Sequence, residues 1–262
     1  MKQLNQKKVA VITGGCGLFG NLQIKALEEL NYKIIVLDKN KKKIKSLKNK
    51  KEFQKTDFYY CDISKFNNIL HVRKNIIKKY KTVNILVNNA ANDTVPVKKK
   101  KTLKSSSLIV DIRNISSDIN VGLIGAIYCS KIFGELMAKN KNGIILNISS
   151  DLSVIAPDQR LYSHLGITKP ISYSVTKHGL TGLTKYLASF WAKHNVRVNS
   201  FSPGGIYNNQ EKIFVRKIKK LIPMGRMAKK NEYKETIKFL CSESSSYMTG
   251  QNIVSDGGRS II

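Results

Sequence analysis

At 262 residues, with 42% of them hydrophobic, the chain is long enough for one large α/β domain with a substantial core. No apolar run approaches bilayer-spanning length, and the basic start, Met1 to Lys8, leads into an apolar run too short for a signal peptide, so a cytoplasmic protein is expected. The formal charge of +29 is almost all Lys, spread along the chain beside abundant Asn and Ile; with no base-reading motif it reads as solvated surface rather than the mark of an acidic partner, and no specific nucleic-acid partner is expected.

Short β-branched runs alternate with longer helical stretches. Val9–Thr13 is a predicted strand and Leu18–Asn31 a helix. Ile34–Asp38 and Phe58–Asp62 are strands, followed by an amphipathic helix over about Lys65–Lys79. Asn84–Asn88 is a strand, and helical periodicity returns from about Ile119 to Lys139. Gly143–Ser149 is a strand, Ser174–Lys193 a helix and Val196–Phe201 a strand. Tyr233–Cys241 is helical, and Asn252–Ser255 is a last short strand. Near-continuously apolar strands between helices predict a doubly wound, Rossmann-like parallel sheet covered on both faces. No linker or repeat divides the chain, so residues 1–262 are read as a single domain. Lys98–Lys101 and Ser105–Ser107 mark an exposed loop, and residues 151–172 form an irregular stretch.

The chemistry begins after the first strand. Thr13-Gly14-Gly15-Cys16-Gly17-Leu18-Phe19-Gly20 opens the first helix. Glycines there allow a tight turn and close approach to a pyrophosphate, which the free N–H groups of the helix end would bind. Asp38 ends the second strand, 18 residues after Gly20. A carboxylate there accepts hydrogen bonds from ribose hydroxyls and repels a 2′-phosphate, which favours NAD over NADP. Lys39 and Lys41–Lys43 follow at once and soften that repulsion. Tyr173 and Lys177 stand four residues apart, on one face of a helix. An ammonium beside a phenol lowers the phenol pKa, which makes Tyr173 a candidate proton donor and acceptor.

These elements, in this order, resemble the short-chain dehydrogenase/reductase family over almost the whole chain. The resemblance implies that Asp62-Ile63 contacts adenine. It implies that Asn88-Asn89-Ala90-Ala91 steadies the sheet beside the cofactor, with Asn89 and Ala90 against it. Asn147-Ile148-Ser149-Ser150 matches the strand that bears the catalytic serine, Ser150. Pro203, Gly204 and Ile206 in Ser202-Pro203-Gly204-Gly205-Ile206 match the segment that contacts nicotinamide, and Thr249-Gly250-Gln251 through Asp256-Gly257-Gly258 matches the family's closing motif. The implied mechanism has Ser150 bonding the substrate oxygen, Tyr173 moving the proton and Lys177 holding the nicotinamide ribose. A homodimer or homotetramer is implied as well.

Three departures stand out. The glycine spacing T-G-G-x-G-x-x-G resembles a longer, sugar-nucleotide-modifying branch. Ser150 and Tyr173 lie 23 residues apart, an insertion relative to the family. Tyr162 falls near the usual spacing, but Gly166 stands where its lysine would be. The family's helix Asn falls on Gly122, with Asn120 two positions early, so the usual proton relay is missing or rebuilt.

The inserted segment and its surroundings resemble bacterial oxidoreductases of surface-sugar pathways, including the flagellin-modification type linked to legionaminic-acid precursors. That resemblance implies an anionic small-molecule substrate, a phosphorylated or nucleotide-activated amino sugar. Asp158, Gln159 and Arg160 lie in the insertion, where they could reach hydroxyls or a phosphate; local pairing of Arg160 with Asp158 is the alternative. Met224-Gly225-Arg226 is expected to close over the cofactor side. A 3-oxoacyl-thioester reductase and a catalytically idle scaffold are the competing functions. His71, His164, His178 and His194 are unclustered, and Cys16, Cys61, Cys129 and Cys241 form no C-x-x-C pair, so no metal site is expected.

Overall fold

The computed structural model describes residues 8–92, 97–98 and 112–262. Seven strands form one parallel sheet in the order β3-β2-β1-β4-β6-β8-β9. They are β1 (Val9–Thr13), β2 (Lys33–Asp38), β3 (Asp57–Tyr60), β4 (Ile85–Asn88), β6 (Gly143–Ile148), β8 (Val196–Pro203) and β9 (Asn252–Ser255). Every residue of β1, β4 and β6 is buried, as a sheet covered on both faces requires. The expected doubly wound class is the one formed. A separate two-residue ladder joins β5 (Val97–Lys98) to β7 (Ile167–Thr168), antiparallel.

Two apolar cores flank the sheet. On one face, Ile12, Val36, Val87 and Leu146 meet Ile24 and Leu27 of α1 (Leu18–Glu29) and Ile237 and Leu240 of α8 (Lys234–Leu240). On the other, Val11, Ile35, Leu86 and Ile145 meet Ile76 of α3 (Phe66–Tyr80), Phe133 of α5 (Gly125–Lys139) and Trp191 of α6 (Ile171–Trp191). Each such buried aliphatic or aromatic side chain contributes about 1.5–3 kcal/mol of transfer free energy. The chain turns one way from β1 to β2 and β3, and the other way to β4. That reversal opens a crevice at the carboxyl ends of the strands, beside the glycine turn.

Several elements differ from the sequence expectation. A helix α2 (Lys41–Lys48) follows β2 on only two buried apolar residues, Ile44 and Leu47, with Asn40 capping it through Lys43 N. A helix α7 (Lys212–Lys219) was also not expected. The stretch predicted as one helix over Ile119–Lys139 is α4 (Ile112–Ile119), a π-helical turn at Asn120–Ile124, and then α5. The helical run Asn114–Lys139, contrary to the sequence reading, is long and apolar enough to cross a membrane by length and composition alone. Its apolar residues, such as Cys129, Ile132, Phe133 and Met137, pack into the core. Helix α6 starts at Ile171, three residues early, because Pro170 pre-sets the entry backbone. Residues 151–172 contain two 3₁₀ segments, Asp151–Ser153 and Gln159–Leu165. Apart from the backbone of Lys98, the predicted loop at Lys98–Lys101 and Ser105–Ser107 lies outside the described residues.

Candidate active site

Strand β1 delivers the chain into the glycine turn. Gly14 takes φ +63°, and a Cβ there would lie 2.7 Å from the Ala90 Cα. A Cβ on Gly20 would lie 2.5 Å from the Gly15 Cα. Asn89 Nδ2 donates to the carbonyls of Thr13 and Gly14 at 3.0 and 3.1 Å. The Thr13 hydroxyl accepts from the amides of Asn89 and Ala90. Asn89 and Ala90 thereby brace the turn. Gly17 caps α1 without a side-chain bond, so no side chain occupies the helix end. This bare helix end, with two glycines whose Cβ space is closed, fits a pyrophosphate-binding cradle.

The cleft above it measures about 630 Å³ and brings together Gly14, Gly17, Leu18, Phe19, Gly20, Asp38, Asp62, Ile63, Asn89, Ala90 and Ile206. Gly204 lines a second hollow instead, with Met224, Arg226, Tyr233 and Gly257. Arg226 there forks onto Glu232 at 2.7 Å. Pro203 ends β8 and lines neither hollow. Cys61, Asn92 and Gln210 also line the main cleft and carried no motif.

Asp38 stands at the cleft edge with Oδ2 accepting from the Cys16 amide at 3.1 Å and Oδ1 from the Asn40 amide at 2.8 Å. Those bonds orient its carboxylate. Lys39 Nζ is drawn to Asn92 Oδ1 at 3.1 Å. Burial, reinforced by Asp38, pushes the Cys16 thiol up to about 12, so it stays neutral.

The end of β6 and the first turns of α6 are stapled together. Lys177 Nζ donates to the Ile148 carbonyl at 2.8 Å, and Ser149 Oγ donates to the Lys177 carbonyl at 2.8 Å. Ser150 follows at once and is buried, close enough to Tyr173 to bear on its phenol. Lys177 Nζ lies 5.8 Å from the Tyr173 ring centroid, on the same helix face. So Ser150, Tyr173 and Lys177 converge. Their proton affinities differ from the sequence expectation. Tyr173 is raised above the ordinary phenol value, because desolvation outweighs the opposing influence of Ser150. Burial, helped by Lys169, draws Lys177 down to about 8. Lys177 donates to a backbone carbonyl, and burial of the phenol sets the direction in which Tyr173 moves.

The inserted segment covers this trio. Arg160 forks onto Asp158, Nη2 to Oδ2 at 2.8 Å and Nε to Oδ1 at 2.9 Å. Gln159 grips the Lys169 backbone, accepting from its amide at 2.8 Å and donating to its carbonyl at 3.3 Å. Asp158 and Gln159 are therefore engaged within the loop, while the rest of the Arg160 guanidinium is exposed. The grip holds Lys169 so that its ammonium lies 3.8 Å above the Tyr173 ring centroid. Tyr162 packs on Phe214, ring centroids 5.7 Å apart, beside a small core of Leu161, Ile218 and Ile222.

Three further features shape the surroundings of the site. Gly122 sits in the π turn, and a Cβ on it would be 2.5 Å from the Thr176 Cγ2. No side chain fits at this position as packed. Asn120 is exposed, whereas Asp118, two residues earlier, is buried and accepts from the Ser172 hydroxyl at 2.6 Å and Asn92 Nδ2 at 3.1 Å. Behind Ser150, Asp151 pairs with Arg259 in a buried ion pair. Among the described residues, no three His, Cys, Asp or Glu side chains gather as metal ligands would.

A family model described as enoyl-(acyl carrier protein) reductase matches residues 20–260. The chain is 30% identical to the 3-oxoacyl-(acyl-carrier-protein) reductase FabG of Thermotoga maritima, over 96% of this chain and 97% of that protein. It is 29% identical to the post-translational flagellin modification protein A of Campylobacter coli, over 97% of this chain and 98% of that one. A short-chain dehydrogenase of Leptospira borgpetersenii, solved with bound NAD⁺, superposes with a TM-score of 0.83 at 28% identity, covering 99% of this chain and 96% of that one.

Proposed function

Because the chain belongs to the short-chain dehydrogenase/reductase family, whose members are oxidoreductases of CH–OH and keto groups that use a nicotinamide cofactor, we propose that it moves a hydride between NAD and a secondary alcohol or ketone of a phosphorylated or nucleotide-activated amino sugar in surface-glycan or flagellin-glycan synthesis. The observation that carries hydride transfer is the staple of α6 to β6, which gathers Ser150, Tyr173 and Lys177. The sugar reading is supported by the full-length likeness to a flagellin-modification protein and by the Lys169 ammonium over the Tyr173 ring, a cation suited to an anionic substrate.

When bound, the nicotinamide supplies the hydride acceptor or donor and, oxidised, a positive charge near Tyr173. Gly14, Gly17 and Gly20 would hold the pyrophosphate against the start of α1, and Leu18 and Phe19 close that side. Asp38 takes the adenosine ribose, and Asp62 with Ile63 the adenine. Lys177 donates one proton to Ile148 O and has two more for ribose hydroxyls. Ser150 bonds the substrate oxygen and Tyr173 takes or gives its proton. Pro203, Gly204 and Ile206 are assigned to the nicotinamide side. Tyr186 and Phe190, stacked on α6 with ring centroids 6.1 Å apart and both more than half exposed, support a homo-oligomeric interface.

A second reading, reduction of a 3-oxoacyl thioester, is favoured by the 30% identity to the Thermotoga enzyme. One panel separates the two. Hexosamine phosphates and nucleotide sugars are offered with NAD, and acetoacetyl thioesters with NADH and NADPH, following the absorbance of the reduced ring. Turnover confined to the thioesters would overturn the sugar assignment.

Cofactor choice gives a further expected result. Asp38→Ala should relax discrimination against NADP by about tenfold or more, since the carboxylate that repels a 2′-phosphate is gone and Lys39 and Lys43 remain nearby. Dissociation constants for the two cofactors check this; an unchanged ratio removes Asp38 from the ribose role.

A further inference from the structure

Asp151 follows Ser150 directly, and its side chain is only 5% exposed. Its partner arrives from the last turn of the chain. Arg259 Nη1 donates to Asp151 Oδ2 at 2.7 Å, across 108 residues of sequence. The other carboxylate oxygen accepts from the Ser150 hydroxyl at 2.9 Å and from the Leu152 amide at 2.9 Å. A hydroxyl has one proton to give. While Asp151 holds it, the Ser150 oxygen offers only lone pairs to anything bound beside it. The Leu152 amide, 3.2 Å from Ser150 Oγ, helps fix that orientation.

We propose that Asp151 and Arg259 are positioning residues for the hydride-transfer site: Asp151 sets the direction of the Ser150 hydroxyl, and Arg259 cancels the carboxylate charge beside Tyr173. This rests on the roles proposed above for Ser150 and Tyr173. A buried carboxylate without a partner is costly, by several kcal/mol. It would also hold the nearby phenol in its neutral form. The charge of Asp151 does reach Tyr173 and raises it. The other groups facing the phenol are Lys169 and Lys177, with ammonium groups 3.8 and 5.8 Å from the ring centroid, and the neutral hydroxyls of Ser150 and Tyr162. Lys177 is held by the Ile148 carbonyl and the Lys169 backbone by Gln159, so the pair can be altered while the two lysines stay in place. With its proton held by Asp151, Ser150 is set to accept from an alcohol hydroxyl. To donate to a ketone oxygen it must first release the carboxylate.

The test reads the Tyr173 phenol itself. The ultraviolet tyrosinate signal of the ligand-free protein is titrated, and the same titration of a Tyr173→Phe background is subtracted. Wild type is compared with Asp151→Asn, Arg259→Gln and the double variant, whose two neutral amides can still hydrogen-bond. The Tyr173 midpoint is expected to rise in the order Asp151→Asn, double variant, wild type, Arg259→Gln, over about one pH unit in all. A purely structural pair predicts no such order. If Arg259→Gln does not fold, the other three proteins still give it. Coincident midpoints, or the reverse order, would overturn the proposal. No substrate is needed, so a failed substrate panel leaves this result standing. Full turnover by Tyr173→Phe would instead overturn the roles on which the proposal rests.

Discussion

Tyr173→Phe is expected to lower turnover by about 10³-fold, within the range for loss of a general acid/base, while changing NAD affinity less than about threefold. The substitution removes one oxygen and leaves the ring. Lys169 keeps an aromatic face beneath it, 3.8 Å from the centroid in the wild type. Lys177 keeps its bond to the Ile148 carbonyl, so the cation assigned to the ribose stays in place. The cleft that would receive the dinucleotide is built from β1, β2, β4 and α1, and Tyr173 is not among its lining residues. Binding and chemistry should therefore separate. Cofactor affinity is read from the fluorescence of bound NADH, and turnover from whichever substrate the panel identifies. A variant that keeps more than a tenth of wild-type turnover would remove Tyr173 from proton transfer.

The parts of the site that were legible in the sequence are those in which one local geometry demands one residue type. Gly14 is required by its positive φ and Gly20 by the packing of α1 on the turn. Both therefore surface as a motif next to a predicted strand. Tyr173 and Lys177 share a helix face because of helical periodicity alone. What escaped is of other kinds. Helix α2 is a run of lysines with two apolar contacts, so its pattern is that of a solvated loop. The π turn at Asn120–Ile124 inserts extra backbone, which shifts the register on which the family's asparagine spacing depends. Asp151 and Arg259 meet across 108 residues, and nothing local marks either one as the other's partner. The rise of the Tyr173 pKa depends on how much water the folded cleft excludes, a quantity that spacing does not carry.

Gly122→Ala is expected to destabilise the protein by about 1–3 kcal/mol, the usual cost of overpacking, and Thr176→Ser in the same chain should recover most of that loss. The reason is one contact. A Cβ on Gly122 would lie 2.5 Å from the Thr176 Cγ2, while the Thr176 hydroxyl oxygen stands off at 3.9 Å. Serine deletes the methyl and keeps the hydroxyl, so it relieves the clash alone. The contact also bears on function. Thr176 precedes Lys177 on α6 and lies three residues beyond Tyr173. Pushing the π turn away from Thr176 must move α6 or the π turn itself, whose Val121 lines the cofactor cleft. The single variant should accordingly lose cofactor affinity as well as stability, and the double variant should regain both. Paired denaturant melts and NADH titrations across the four proteins measure the coupling. Additive effects in both would mean that Gly122 is small for some reason other than the approach of α6, and that the missing asparagine has no steric cause at this contact.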